Sequence, residues 1–166
     1  GFEMRVLGFD PFPNDAAREA GVEFVSLEEL LEQSDFVSLN AAAMMENRGI
    51  IGEAELQRMK EGAYLINTAG GSLLDETAMV RALSEGWIAG AALDCYVEEP
   101  LPAEHPLRST PNVLLCPHMA PCAWGNAREM NRGAAQTILD LKVGKRPEVV
   151  VNPEVFESPA LRAEVF

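Results

Sequence analysis

The sequence predicts an α/β fold built on a parallel sheet, and three observations carry that prediction. Hydrophobic periodicity switches repeatedly between runs of strand length and helical segments, the mark of stacked βα units. Capping and turn residues close these segments in a regular order. Polar residues also stand at the ends of successive strand-like runs, where open parallel sheets collect their ligands.

Residues 4–9 form the first strand-like run, and it ends at Asp10-Pro11. Proline has no amide donor and disfavours helix in the residue before it. Residues 14–20 suit a short helix closed by Gly21, and residues 22–25 a short strand. Ser26 followed by Glu29 is a capping box that opens an amphipathic helix through Leu27, Leu30 and Leu31. Residues 35–39 read as the next strand, 53–60 as a helix and 63–66 as a strand. A helix over 75–85 stops at Gly86, and a strand follows over 88–93.

The segment 98–111 holds four prolines and reads as loop, with a last strand at 113–115. Ala123, Ala127, Met130, Ala134, Ile138 and Leu141 recur at helical spacing, which predicts one long helix with an apolar stripe packed into a core. Residues 144–147 end it, and 149–151 lead into a short tail.

A chain of 166 residues has room for one domain with a real core. Hydrophobic residues make up 48%, and the mean hydropathy of −0.02 belongs to a soluble globular protein. Thirteen basic side chains against twenty-six acidic ones leave a net charge of −13, which repels nucleic acid and anionic lipid headgroups. No nucleic-acid or membrane partner is therefore expected. No apolar run approaches the roughly 20 residues of a bilayer span, and no basic-then-apolar leader opens the sequence. The protein reads as cytoplasmic.

Cys95, Cys116 and Cys122 are an odd number, against a disulfide framework and in keeping with a reducing compartment, and their bland reading is as buried small hydrophobes. Cys116, His118 and Cys122 have the atom types of a zinc site, but their spacing matches no common zinc motif and no fourth ligand is evident. No metal is assigned from the sequence.

The candidate rim consists of Asp10, Asn40, Asn67, Thr68, Asp94 and His118. Each has a bland reading as a turn or capping residue. Asp10 has two readings that stand level: an acceptor for the hydroxyls of an adenosine ribose, or the start of an Asp-Pro turn. Of the two histidines, His105 in Glu104-His105-Pro106 reads as a surface turn residue. His118, at a strand end facing a cleft, can give or take the proton that accompanies hydride transfer at a carbonyl. A nearby carboxylate would hold its imidazolium ready, and Glu99, directly before the rigid Pro100, is the better placed of Glu98 and Glu99.

The runs from Leu65 through Asn67, Thr68, Ala69 and Gly70 to Gly71, from Gly90 to Asp94, from Glu99 to Pro102, and from Asn112 to His118 occur in one order and spacing. In that order the sequence resembles the NAD-binding domain of the D-isomer-specific 2-hydroxyacid dehydrogenases. Asp10-Pro11, Val37-Ser38-Leu39, Arg48-Gly49 with Ile51-Gly52, and Val151-Asn152-Pro153 extend the resemblance over nearly the whole chain.

The resemblance implies a Rossmann-like doubly wound sheet and hydride transfer between NAD and a small 2-hydroxy or 2-oxo acid, in a homodimer. It makes His118 the acid-base and Glu99 its partner. Asp10 would bind the adenosine ribose, Asp94 the nicotinamide carboxamide, and the turn of Thr68, Ala69 and Gly70 the nicotinamide side. Ala41, Ala42 and Asn47 would line the adenine and ribose region. Residues 1–150 are expected to be a partial NAD-binding domain, and 151–166 a tail returning to a substrate domain outside this sequence.

Three departures qualify the resemblance. The family's glycine-rich turn, whose amides cradle the pyrophosphate, and the central strand before it would precede residues 2–6, so an incomplete sheet is expected. The family places an arginine after Asn-Thr-Ala to grip the substrate carboxylate, and here that position is Gly70. Asn40, Ala41, Ala42, Ala43 and Met44 stand where the family commonly shows His, an apolar residue, Pro, Leu and Thr. Two functions follow as expectations: a domain of a dehydrogenase, inactive as this chain alone, or a dimerisation or regulatory module whose site has decayed.

Overall fold

The computed structural model describes residues 3–147 and 150–158, apart from the side chain of Trp124. The chain divides into two compact units, residues 1–119 and 120–166. Among the described residues, the first carries all six strands. They are β1 (Val6–Gly8), β2 (Val22–Phe24), β3 (Phe36–Leu39), β4 (Tyr64–Asn67), β5 (Gly90–Leu93) and β6 (Val113–Leu115). Four helices lie between them: α1 (Asp15–Glu19), α2 (Leu27–Gln33), α3 (Glu53–Arg58) and α4 (Glu76–Glu85).

Every strand pairing is parallel, giving the α/β, Rossmann-like architecture expected from the sequence, as an incomplete sheet. It is in two pieces, β1-β2 and β3-β4-β5-β6. β1 and β3 do not pair, and a groove of about 510 Å³ runs beside residues 4–7 and 33–38 of those facing edges. A parallel edge without a partner leaves backbone donors and acceptors unpaired.

Local chemistry explains the boundaries. The Ser26 hydroxyl accepts from the Glu29 amide at 3.1 Å and starts α2. One Asp75 carboxylate oxygen accepts from Thr77 and Ala78 amides and starts α4, which Gly86 closes at φ 74°. The core lies on one face of the four-stranded piece. Val37, Leu65, Ala91 and Leu93 meet Leu31 of α2, Leu56 of α3, and Met79 and Leu83 of α4. The opposite face is open, with Phe36, Tyr64 and Leu114 46–64% exposed.

Register fixes where function can sit. Asn67 pairs across to Leu93, and Leu93 to Leu115, so β4, β5 and β6 end level with one another. The residues that follow therefore emerge along one rim.

The second unit contains α5 (Trp124–Lys142), which ends near Gly144 at φ 74°. Its stripe departs from the expectation of core packing. Ala123, Ala127, Met130, Ala134, Ile138 and Leu141 include no buried residue, and Met130 and Ile138 are about two-thirds exposed. Amphipathic spacing specifies an apolar face without specifying what covers it. The proline-rich loop also differs, since Pro106–Ser109 winds into a short 3-10 turn capped by His105. Val149 and residues 159–166 of the expected tail lie outside the described residues. Among the described residues no helix is long and apolar enough to cross a membrane.

Removing side chains from the two sheet faces is expected to separate core from open surface. Leu65→Ala, at a fully buried position, should cost about 2–5 kcal/mol. Leu114→Ala on the open face should cost less than about 1 kcal/mol. Urea unfolding of the two variants checks the difference.

Candidate active site

Three loops meet at the level carboxyl ends of β4, β5 and β6. The first, after β4, is organised by Asn67, whose side chain is fully buried. Its Oδ1 accepts from the amides of Ala69 and Gly70 at 3.1 and 3.2 Å, and its Nδ2 donates to the Gly70 carbonyl at 2.9 Å. A polar side chain with no access to water must find such partners, and here they shape the Thr68–Ala69–Gly70 turn. Gly71 then lets that turn meet the loop after β5. A Cβ on Gly71 would fall 2.0 Å from the Tyr96 carbonyl carbon, so only glycine permits the approach.

The second loop begins at Asp94, which is buried. It continues through Cys95 and Tyr96 to Glu99, joined to Pro100 by a cis peptide bond. The buried Tyr96 hydroxyl donates to the Leu93 or Cys116 carbonyl, each 2.8 Å away, and so ties the ends of β5 and β6 together. The Tyr96 amide donates to Glu99 Oε1 at 3.0 Å and fixes the carboxylate.

His118 arrives from the loop after β6, and its Nδ1 lies 2.8 Å from Glu99 Oε2. The sequence-based pairing of these two residues is therefore a direct contact between groups 19 positions apart. His118 adopts φ 53°, in the left-handed region. That conformation is uncommon for residues other than glycine and costs about 1–3 kcal/mol, so its surroundings must impose it. The Met119 amide donates to Asp94 Oδ1 at 2.7 Å, which pins the chain just beyond the strained residue.

The pair is coupled electrostatically. The hydrogen bond to Glu99, and then its charge, raise the His118 pKa above the ordinary 6.5, with Asp94 adding in the same direction. The hydrogen bond from His118, and then the Tyr96 amide, lower the Glu99 pKa. Burial and the charges of Asp94 and Glu99 push the Cys95 thiol up.

The linkage to folding has two limbs. The His118 contribution is complete below the unfolded imidazole pKa and is lost as pH rises through the higher folded value. The Glu99 contribution is complete above the unfolded carboxylate pKa and is lost as pH falls through the lower folded value. The ion pair therefore stabilises the fold between those limits. Both side chains are more than a third exposed, which screens the effect.

Glu99 and His118 border a cavity of about 570 Å³, with Pro100, Leu101, Arg108 and Cys116 among its walls. Arg108 is not free to serve as a substrate clamp. Its Nε and Nη2 donate to the Pro102 and Leu101 carbonyls at 2.8 and 2.6 Å, which holds the proline-rich loop in place.

The remaining expected residues are distributed around this centre. Asp10 follows β1 and is exposed, and its Oδ1 accepts from the Phe12 amide at 2.7 Å, the geometry of the turn reading. Ala41 and Ala42 lie in an exposed loop after β3. Asn47 stitches that loop, accepting from the Met44 amide and donating to the Ala42 carbonyl at 2.8 and 2.7 Å. Gly70 has no room for a side chain as the loop stands, because a Cβ there would lie 2.7 Å from the Cβ of Ala43. His105, expected as a surface turn residue, is largely covered: its Nε2 lies 3.3 Å from Glu76 Oε2 and its Nδ1 accepts from the Leu107 amide.

Tyr96 and Arg108 were not singled out by sequence reasoning, and Cys95 was read only as a small hydrophobe. Tyr96 and Cys95 share the signal that places Asp94 at the rim, namely the end of β5. Arg108 offered no signal, since its role depends on how a proline-rich loop folds back.

Residues 1–120 match the family described as D-isomer specific 2-hydroxyacid dehydrogenase, NAD binding domain. A glyoxylate reductase from Korarchaeum cryptofilum (strain OPF8) is 44% identical over 156 residues, covering 93% of this chain and 47% of that protein. One from Thermofilum pendens (strain DSM 2475 / Hrk 5) is 45% identical over 136 residues, covering 82% and 40%. Among solved structures, the D-lactate dehydrogenase with NAD+ from Lactobacillus jensenii superposes with TM-score 0.82 at 29% identity, covering 89% of this chain and 48% of that one. A glyoxylate reductase from Paecilomyes thermophila gives 0.77 at 38% identity, covering 84% and 42%. The chain thus spans about half the length of the relatives it matches.

Spectroscopy at His118 checks the pair. A 15N-resolved NMR titration should show the His118 imidazole titrating above 6.5, and Glu99→Gln should bring it down. An unshifted midpoint in the variant would show that Glu99 does not hold the proton.

Proposed function

The chain belongs to the D-isomer specific 2-hydroxyacid dehydrogenase family as an NAD-binding domain, and from that premise we propose that it supplies the proton-transfer half of a site reducing a small 2-oxo acid with NADH. The observation that carries this reading is the 2.8 Å contact between His118 Nδ1 and Glu99 Oε2 at the rim. With Nδ1 held by the carboxylate, Nε2 is the nitrogen left to face a substrate. It donates a proton to the carbonyl oxygen as the hydroxy acid forms, and takes it back in the reverse direction. Glu99 keeps the imidazolium available and fixes the tautomer that remains after transfer.

The donor set fits the two ends of a dinucleotide. Carboxylates stand after β1 and after β5, the Asp10 group for ribose hydroxyls and the Asp94 group for the carboxamide. The turn of Thr68, Ala69 and Gly70 and the loop of Ala41, Ala42 and Asn47 would complete the lining. When bound, NADH would supply the hydride to the carbonyl carbon. Residues 1–150 are read as part of a nucleotide-binding domain and 151–166 as leading back towards a substrate domain, a division supported by relatives about twice the length of this chain. The relatives named glyoxylate reductase make glyoxylate the first acid to test. The exposed apolar stripe of α5 supports a homodimer. The cysteine usage supports a cytoplasmic location.

One observation favours a second reading, that of a dimerisation or regulatory module on the same scaffold. Gly70 offers no cation to a substrate carboxylate, and Ala43 occupies the space its side chain would need. Loss of such a contact costs about 2–5 kcal/mol, or roughly 30- to several-thousand-fold in rate.

Two measurements decide between the readings. Calorimetric titration of the 166-residue chain with NAD should show no saturation in the micromolar range, and a micromolar Kd would contradict that expectation. A protein extended to the length of its relatives should oxidise NADH with glyoxylate, and His118→Ala should lower kcat/KM at least about 100-fold. Turnover that survives the substitution would exclude His118 as the donor; no turnover in the extended protein would favour the module.

A further inference from the structure

The described residues hold one group of three metal-ligating side chains, and it is not the set suggested by cysteine spacing. Cys95 Sγ, a Glu99 carboxylate oxygen and a His118 ring nitrogen all lie within 4.8 Å of one another. We propose that these three residues form an inhibitory site for a thiophilic divalent cation of the zinc class.

The donor set is selective. One sulfur, one imidazole nitrogen and one carboxylate oxygen suit zinc, whereas magnesium and calcium take oxygen alone. Bond lengths of about 2.3 Å to sulfur and 2.0–2.2 Å to nitrogen or oxygen place tetrahedral ligands roughly 3.3–3.6 Å apart. Bringing atoms that lie 2.8 Å apart at Glu99 and His118, and nowhere more than 4.8 Å apart, to that spacing takes rotamer-scale movement of about an ångström.

Position supports access as well as binding. Cys95 is buried, while the Glu99 and His118 side chains are 36% and 51% exposed. A cation arrives from the open side and keeps its fourth position for water. The Tyr96 amide already orients Glu99 through Oε1, leaving Oε2 towards the histidine.

The exchange balances in protons. The cation displaces the thiol proton of Cys95 and the proton that His118 and Glu99 share, and both pass to solvent, so affinity falls as pH falls. Metal and shared proton are therefore mutually exclusive. The inhibitory consequence rests on the catalytic reading above; the binding itself does not.

Cobalt(II) is the probe, because thiolate ligation gives a near-ultraviolet charge-transfer band. The purified protein should bind one equivalent with that band, and zinc added afterwards should abolish it. Cys95→Ala and Cys95→Val, the second filling the buried volume, should both lack the band, while Cys116→Ser should keep it. A missing band in the parent protein, or a band that survives in the folded Cys95 variants, overturns the site. In the extended enzyme, zinc should inhibit glyoxylate reduction reversibly to a chelator, with at least tenfold lower sensitivity after Cys95→Val. Bound cobalt without inhibition of an active enzyme overturns the inhibitory role. Bound cobalt in a protein with no reductase activity contradicts the catalytic reading and upholds the site.

Discussion

The contact between His118 and Glu99 is the interaction to which the rest of the rim is subordinate. It joins two loops that belong to different strands. Parallel pairing of β5 and β6 brings the strand ends level, the Tyr96 hydroxyl locks them, and Asp94 pins the amide beyond His118. The left-handed backbone at His118 is the cost of aiming the imidazole at the carboxylate. Buried polar groups at Asn67 and Asp94 are each satisfied within the same rim, so the strain is imposed by a fully bonded frame rather than a loose one.

Charge and packing divide the labour. The net charge of −13 sets a field that disfavours anions generally. On the proposed reading, an anionic 2-oxo acid would be held by local cations, and the Glu99–His118 pair provides one, the imidazolium. Glycine at position 70, with Ala43 against it, provides none. On that reading the chain would supply the means to move a proton more completely than the means to grip a substrate.

Most of this was legible in the sequence because caps and strand ends are local chemistry. Ser26, Asp75 and Gly86 mark helix limits by hydrogen bonds that need no tertiary context. Asp94, Glu99 and His118 were legible through order and spacing, which register then converted into proximity. What escaped was decided at long range. The stripe on α5 named a face but not its cover, and His105 read as a turn residue because its partner, Glu76, sits 29 positions earlier. Cys95 read as a small hydrophobe, since four positions across a proline-ended loop have no fixed geometry. Asp10 remains consistent with its turn geometry and stays a proposal as a ribose ligand.

On the proposed reading, Glu99 tunes His118 as the proton donor of carbonyl reduction. The most direct measurement is the pH dependence of kcat/KM for NADH-dependent glyoxylate reduction, in the extended protein and in its Glu99→Gln variant. The rate should fall as pH rises through the raised His118 pKa, and that alkaline limb should move to lower pH in the variant. A limb that stays where it was would show that Glu99 does not tune His118.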